Sequence, residues 1–140
     1  MVDPLNAAFP TSGHPFRFPR QFRLKSPHII RAIMQDGTSH RRRWDAFRLI
    51  WPSRSEATAD ATPRFAFVIS RDAGPAVVRN RIKRRLREAV RLAKSSWPAA
   101  SVPIILRINS DRAAQLPFAA LQSQVHQALA DVKRHLPGSG

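Results

Sequence analysis

The order of apolar patterns along this chain predicts a small α/β or α+β domain, and three observations carry the prediction. Helical and strand periodicities succeed one another as helix, strand, strand, helix, strand, helix. Polar stretches rich in Pro, Ser and Thr separate several of them. A length of 140 residues with 43% hydrophobic content suits one core of ordinary size and argues against full disorder.

Residues 1–20 carry prolines and arginines without any period, which predicts a flexible N-terminal arm ahead of a domain over 21–136. "SPHIIRAIMQDG" then predicts a short helix. Ser26 suits the cap, Pro27 the first helical position, and Gly37 a left-handed close. Ile29, Ile30, Ile33 and Met34 share one of its faces. "TSHRRR" reads as a basic turn. "WDAFRLIW" sets Phe47, Leu49 and Trp51 against Arg48, the period of a strand. A weaker strand signal covers Phe22 to Lys25.

After the polar loop "PSRSEATADATP", "RFAFVIS" predicts a second main strand. The next segment has helical period, with Val78, Ile82, Leu86, Ala89, Val90 and Ala93 in one apolar stripe. Trp97 and Pro98 mark its end. "VPIILRI" is a nearly continuous apolar run, as an internal strand requires. A last helix follows, opened by Pro117, with Leu121, Val125 and Leu129 inward beside Phe118 and Val132. "PGSG", residues 137–140, reads as a frayed tail.

The charge narrows the function. Twenty-four basic residues against nine acidic ones give +15, the balance of a protein with a polyanionic partner. Eight of those bases and a single acid, Glu88, fall between Arg79 and Lys94 on the predicted helix. Arg79, Lys83 and Arg87 line one edge, while Arg81, Arg84, Arg85 and Arg91 widen the charged surface. Like charges at that spacing cost a few tenths of a kcal/mol per pair, and a helix needing only solubility would mix signs. A phosphate backbone would offset the cost and make binding salt-dependent. Asn80 adds an amide able to bridge backbone or base groups. A membrane-surface helix would want aromatic anchors, which this stripe of Ala and Val lacks.

Intrinsic catalysis finds little support. No cysteine is present, and the five histidines show no metal-ligand spacing. The acidic residues are dispersed, none closer than Glu56 and Asp60, where a protein nuclease needs clustered carboxylates. There is no nucleophile elbow or phosphate-cradling glycine loop. No catalytic residue and no metal ligand is therefore expected. The N-terminus has no apolar h-region and no segment nears a membrane span, so a cytoplasmic address is expected.

"RFAFVISRDAGPAVVRNRIKRRLREAVR", residues 64–91, resembles the signature of the protein subunit of bacterial ribonuclease P. That family joins an Arg-x-Gly-aromatic strand ending in Ser-Lys/Arg to a Gly-x-Ala-Val turn and an Arg-Asn-Arg-x-Lys-Arg-x-x-Arg helix. Arg64, Phe67, Ser70, Arg71, Gly74, Ala76 and Val77 match, then Arg79, Asn80, Arg81, Lys83, Arg84, Arg87 and Glu88. "FRLK", the first helix closing at Gly37, and "RINSDRAAQLPFAAL" fall in order outside the signature.

The resemblance implies helices packed on a central four-stranded sheet, with the basic helix in an unusual left-handed crossover. It implies a partnership with a large catalytic RNA, the pair removing the 5′ leader from precursor tRNA. The chemistry would belong to the RNA and its Mg²⁺ ions. Arg79, Asn80, Arg81, Lys83, Arg84 and Arg87, with Arg71 and Arg64, would contact RNA. A cleft between the first helix and the sheet would hold the single-stranded leader, with no membrane and no obligate protein partner involved.

Three positions depart from the family pattern. Ile30 and Met34 stand where the family places Phe along that cleft, leaving Phe47 and Phe67 as the aromatic candidates. Ala66 replaces a strand glycine, and Asp72 stands where Lys is common. A structural, ribosomal-type RNA-binding protein would share the charge and size; the ordered motif argues against it. A DNA-reading helix is disfavoured because this helix lies between two strands, with its apolar side on a sheet.

Overall fold

Strand alternation divides the molecule into two apolar layers. The computed structural model describes residues 18–53 and 62–136. Within them lie helix α1 (Pro27–Gln35), strands β1 (His40–Arg43), β2 (Arg48–Trp51) and β3 (Arg64–Ile69), and helix α2 (Ala76–Leu92). Strand β4 (Pro103–Ile108), a short helix α3 (Arg112–Gln115) and helix α4 (Phe118–His135) complete the order. The strands form one mixed sheet, β1-β2-β4-β3, in which only β3 and β4 run parallel. Helix α2 makes the crossover between those two.

Leu49 and Trp51 of β2, Phe65 of β3, and Ile104, Leu106 and Ile108 of β4 point to one face. There they meet Ile82, Leu86, Ala89 and Val90 of α2 and Leu121, Val125, Leu129 and Val132 of α4. The alternate residues Ile50, Ala66 and Ile105 point to the other face, where α1 covers them with Ile33, Ile30 and Met34. The result is an α+β sandwich with a four-stranded sheet between helical layers, as expected, with α3 as an additional short helix.

Several local predictions changed once tertiary pairing was in place. "HRRR" forms strand β1, not a turn. It has no apolar residue to betray it, and all four residues are exposed on an edge strand, where charge blunts unwanted pairing. Helix α1 starts as expected, Ser26 accepting from the Ile29 amide at 3.4 Å with Pro27 next. Gly37 does not close it: Gly74 is the one residue with positive φ among those described. Instead the Asp36 carboxylate accepts from the Thr38 amide at 2.9 Å and hydroxyl at 2.8 Å. Arg41 also reaches back from β1 to donate to the Met34 and Asp36 carbonyls, satisfying the last turn.

The Thr38 amide, then its hydroxyl, hold the Asp36 carboxyl below the ordinary carboxylate value, with the Arg41 charge adding a smaller push. Because the folded value is depressed, the contribution is present above the unfolded value and lost as pH falls through the folded one. An acid titration followed on the Thr38 amide resonance should show this turn releasing only below the ordinary carboxylate range.

The packed chain reaches back to Phe18, inside the stretch predicted as an arm. Its ring is 1% exposed and lies edge-on to Phe65 and Phe67, each at 5.9 Å. Residues 1–17 and 137–140 lie outside the described residues. The weak signal near Phe22–Lys25 becomes a single parallel bridge from Arg23 to Phe65, with the Leu24 amide donating to the Phe65 carbonyl at 2.8 Å. Helix α2 ends at Leu92, and the Trp97 indole N–H closes it by donating to the Val90 carbonyl at 2.9 Å.

Gly74 sets the entry to α2. Its φ of 131° and ψ of −174° belong to a region that L side chains avoid, and an added Cβ would meet Val78 at 3.2 Å. Gly74→Ala is expected to lower stability by ~1–3 kcal/mol in urea unfolding.

Candidate nucleic-acid interface

Two basic surfaces emerge, one on α2 and one on the sheet. Helix α2 buries Ile82, Leu86, Ala89 and Val90, which leaves its polar side as two flanks. Arg79, Lys83 and Arg87 form the flank toward β3. With Phe67 and Ile69, Arg79 and Lys83 border one small pocket; with Arg23 and Lys25, Lys83 and Arg87 border another. Burial first, and the neighbouring Arg23 charge second, hold the Arg87 guanidinium below its ordinary value. Arg81 and Arg84 form the opposite flank beside Val77 and Phe118, and Asn80 borders both sides. Asn80, Arg81 and Arg84 are exposed, whereas Arg79, Lys83 and Arg87 are half-buried.

Not every base between Arg79 and Lys94 serves that surface. Arg91, expected to widen it, is 9% exposed and paired with Glu88 one turn away. Arg85 donates to the Ala113 carbonyl at 3.0 Å and to the Leu116 carbonyl, fastening α3 and the start of α4. Lys94 lies over the rings of Phe22 at 5.6 Å and Trp97 at 6.0 Å. Removing these three leaves the residues of the motif as the helix's outward charge. Pairing with Arg91 also takes up Glu88, the sole acid of α2, so nothing on the helix neutralises that charge.

Arg71 is exposed in the 3-10 turn leading into α2, beside exposed Asp72. Arg64 is not brought to the same place. It is exposed at the far end of β3, on the order of 20 Å from Arg71 at the usual strand rise, in register with Pro103.

The second surface comes from strand register. Arg43 pairs with Arg48, Arg48 with Arg107, and Arg107 with Val68, so three arginines cross three strands in one row. The row adjoins Ile50 and Ile105, which α1 covers, and so borders the space beside Met34 and Ile30. Like charges directly opposite destabilise a sheet. Arg42, Arg91, Arg112 and Arg134, by contrast, are each ion-paired with an acid. The sequence motif did not single out these three, although the alternation of Arg48 against Leu49 already set Arg48 apart from the main core.

The four residues expected to line one leader cleft are divided by the sheet. Ile30 and Met34 are half-buried on the α1 face. Phe67 is half-buried on the opposite face, toward α2. Phe47 is 4% exposed within the main core, stacked near Trp44 at 6.5 Å, and cannot offer a ring face to a ligand. The reason is parity: Phe47, Leu49 and Trp51 share one side of their segment, and Phe67 shares that side with Phe65. Ala66, in place of a glycine, lies under α1 and is 4% exposed.

Comparison with known proteins bears on this arrangement. The family model for ribonuclease P matches residues 18–133. The ribonuclease P protein component of Micrococcus luteus is 32% identical over 126 residues, spanning 86% of this chain and 96% of that protein. The chain belongs to the ribonuclease P protein family. A further protein component, from Roseiflexus sp. (strain RS-1), is 38% identical over 114 residues, covering 79% of this chain and 84% of the relative. The fold agrees with that of the ribonuclease P protein from Thermotoga maritima, at a TM-score of 0.65 and 20% identity over 78% of this chain and 96% of that one. The Staphylococcus aureus ribonuclease P protein gives 0.58 at 23% identity, over 80% and 95%. The described residues of this ribonuclease P protein gather no group of three His, Asp or Glu side chains able to hold a metal ion. None of its helices among those residues is long and apolar enough to cross a membrane.

Proposed function

We propose that this ribonuclease P protein component seats on the catalytic RNA of the ribonucleoprotein through α2 and holds the 5′ leader of precursor tRNA on the α1 face. One observation carries the reading. Arg79, Arg81, Lys83, Arg84 and Arg87, with the Asn80 amide among them, lie on the exposed or half-buried flanks with no acid of the helix left to neutralise their charge, because Glu88 is turned to Arg91. A helix arranged this way is stabilised by phosphates drawn along both flanks, with counterion release as the driving term. Arg71 adds a charge at its entrance.

On the other face, Ile30 and Met34 cannot stack on bases, which forgoes roughly 1–3 kcal/mol per base. The row of Arg43, Arg48 and Arg107 supplies phosphate contacts in place of stacking. Leader binding should therefore be tolerant of sequence and sensitive to salt. Leader hydrolysis is assigned to the RNA and the Mg²⁺ it holds. The described residues of this chain gather no cluster of His, Asp or Glu side chains to hold a resident Mg²⁺. A cytoplasmic location follows from the substrate in this reading.

The test is cleavage of precursor tRNA by a bacterial ribonuclease P RNA at low Mg²⁺, with and without this chain. Restored cleavage is expected. Tight RNA binding without restored cleavage would favour a structural RNA-binding role.

The arginine row gives a second test. Arg48→Gln with Arg107→Gln should raise stability by about 0.5 kcal/mol, since a cross-strand repulsion is relieved. The same pair should weaken holoenzyme affinity for precursor tRNA several-fold and leave mature tRNA, which lacks a leader, unaffected. Equal losses on both RNAs would remove the leader from this face.

A further inference from the structure

The outer flank of α2 and the first turn of α4 enclose a groove of about 650 Å³ that the phosphate-binding role does not explain. Most of its lining surface is apolar. Val77, in the first turn of α2, is 74% exposed, well beyond Ile29 at 48%, the other large apolar side chain left in water among the described residues. The half-buried ring of Phe118 lines the same groove. A phosphate backbone alone has no use for either.

The ring is held in place. The Arg85 guanidinium sits 5.9 Å from the centre of Phe118 and is itself fixed by the Ala113 and Leu116 carbonyls. Burial, then the neighbouring Arg81 charge, hold that guanidinium below its ordinary value. The mouth of the groove carries Asn80, Arg81 and Arg84, all exposed. Glu88, the acid bordering it, is occupied by Arg91.

An apolar slot with a fixed aromatic wall, a cationic rim and one amide complements a nucleotide. We infer that the groove takes an unstacked nucleobase of the RNA partner, packed between Phe118 and Val77 with its flanking phosphates on Arg81 and Arg84. Asn80 is placed to donate to, and accept from, the base edge. The inference rests on the RNA-binding reading above and adds a contact that tells a nucleotide from a bare phosphate. An acidic protein segment would satisfy the rim but not require the base, which makes the base the quantity to test.

The experiment compares an oligoadenylate of eight ribonucleotides with an abasic ribose-phosphate chain of equal length and charge. Binding by the full chain is followed by fluorescence anisotropy at several salt concentrations. Native protein should prefer the base-bearing chain by roughly tenfold or more, as expected for one aromatic contact. Val77→Ser and Phe118→Leu should each erase most of that preference, leaving abasic binding and the salt dependence unchanged. Val77 is exposed, so its variant tests the groove even if Phe118→Leu perturbs packing. Equal affinity of native protein for both chains, or a preference that both variants retain, overturns the groove inference. Failure of native protein to bind a bacterial ribonuclease P RNA as well would overturn the RNA-binding reading with it.

Discussion

Changing Arg79, Arg81 and Lys83 together to Ala is expected to weaken binding to a bacterial ribonuclease P RNA by about 100-fold near physiological salt. Each phosphate contact contributes about 0.9 to the slope of log affinity against log salt, and three of them over the interval to 1 M give roughly two decades. The slope itself should fall by between two and three, roughly 0.9 for each lost contact. Stimulation of cleavage at low Mg²⁺ should disappear in parallel. Stability should not fall. Arg81 is exposed, Lys83 is half-buried, and Arg79 contributes one hydrogen bond from its Nε to the Gly74 carbonyl at 3.2 Å. Ala is also the better helix former, and like-charge pairs along the helix are removed. Filter binding across a salt series, with urea unfolding of the same variant, separates the two effects. An unchanged slope would mean that the RNA lies elsewhere than on α2.

The opposite pattern is expected for Leu86→Ala. Leu86 is 0% exposed, facing the sheet and α4 from the middle of α2. Truncating a fully buried Leu costs ~3–4 kcal/mol through lost burial and the cavity left behind. Against a total of roughly 5–15 kcal/mol, that is a large part of the stability of a domain this size. Urea unfolding should show the midpoint falling with little change in slope. RNA affinity should drop only as the folded fraction drops, and saturating RNA should restore part of the stability by mass action. A loss under about 1 kcal/mol would show that α2 is not seated on this core as described. Together the two variants divide one helix by face: Arg79, Arg81 and Lys83 are expected to be dispensable to the fold and needed for binding, and Leu86 the reverse.

The sequence by itself determined much of this protein. The stripe from Ile82 to Ala93 marked which side of α2 is buried, and every member of it from Ile82 onward is buried in the main core. The apolar run of β4, the alternation of β2 and the periods of α1 and α4 were likewise legible, because local period reports how a side chain faces the protein. The unmixed charge between Arg79 and Arg87 pointed to a polyanionic partner from the sequence alone.

Tertiary structure decided what period cannot encode. Strand β1 has no apolar residue and exists because β2 offers it a ladder. Phe18 lies in a segment without period and is buried only because Phe22, Phe65, Phe67 and Trp97 converge around it. Phe47 and Phe67 looked available to a ligand until sheet parity turned them away from α1. Arg43, Arg48 and Arg107 are 64 residues apart in sequence from first to last, and only the register of three strands lines them up. Whether Glu88 neutralised the helix also depended on packing, which buried Arg91 beside it. Period fixes the face a residue takes on its own element; register and burial, set by distant parts of the chain, decide which faces meet and which charges stay in water.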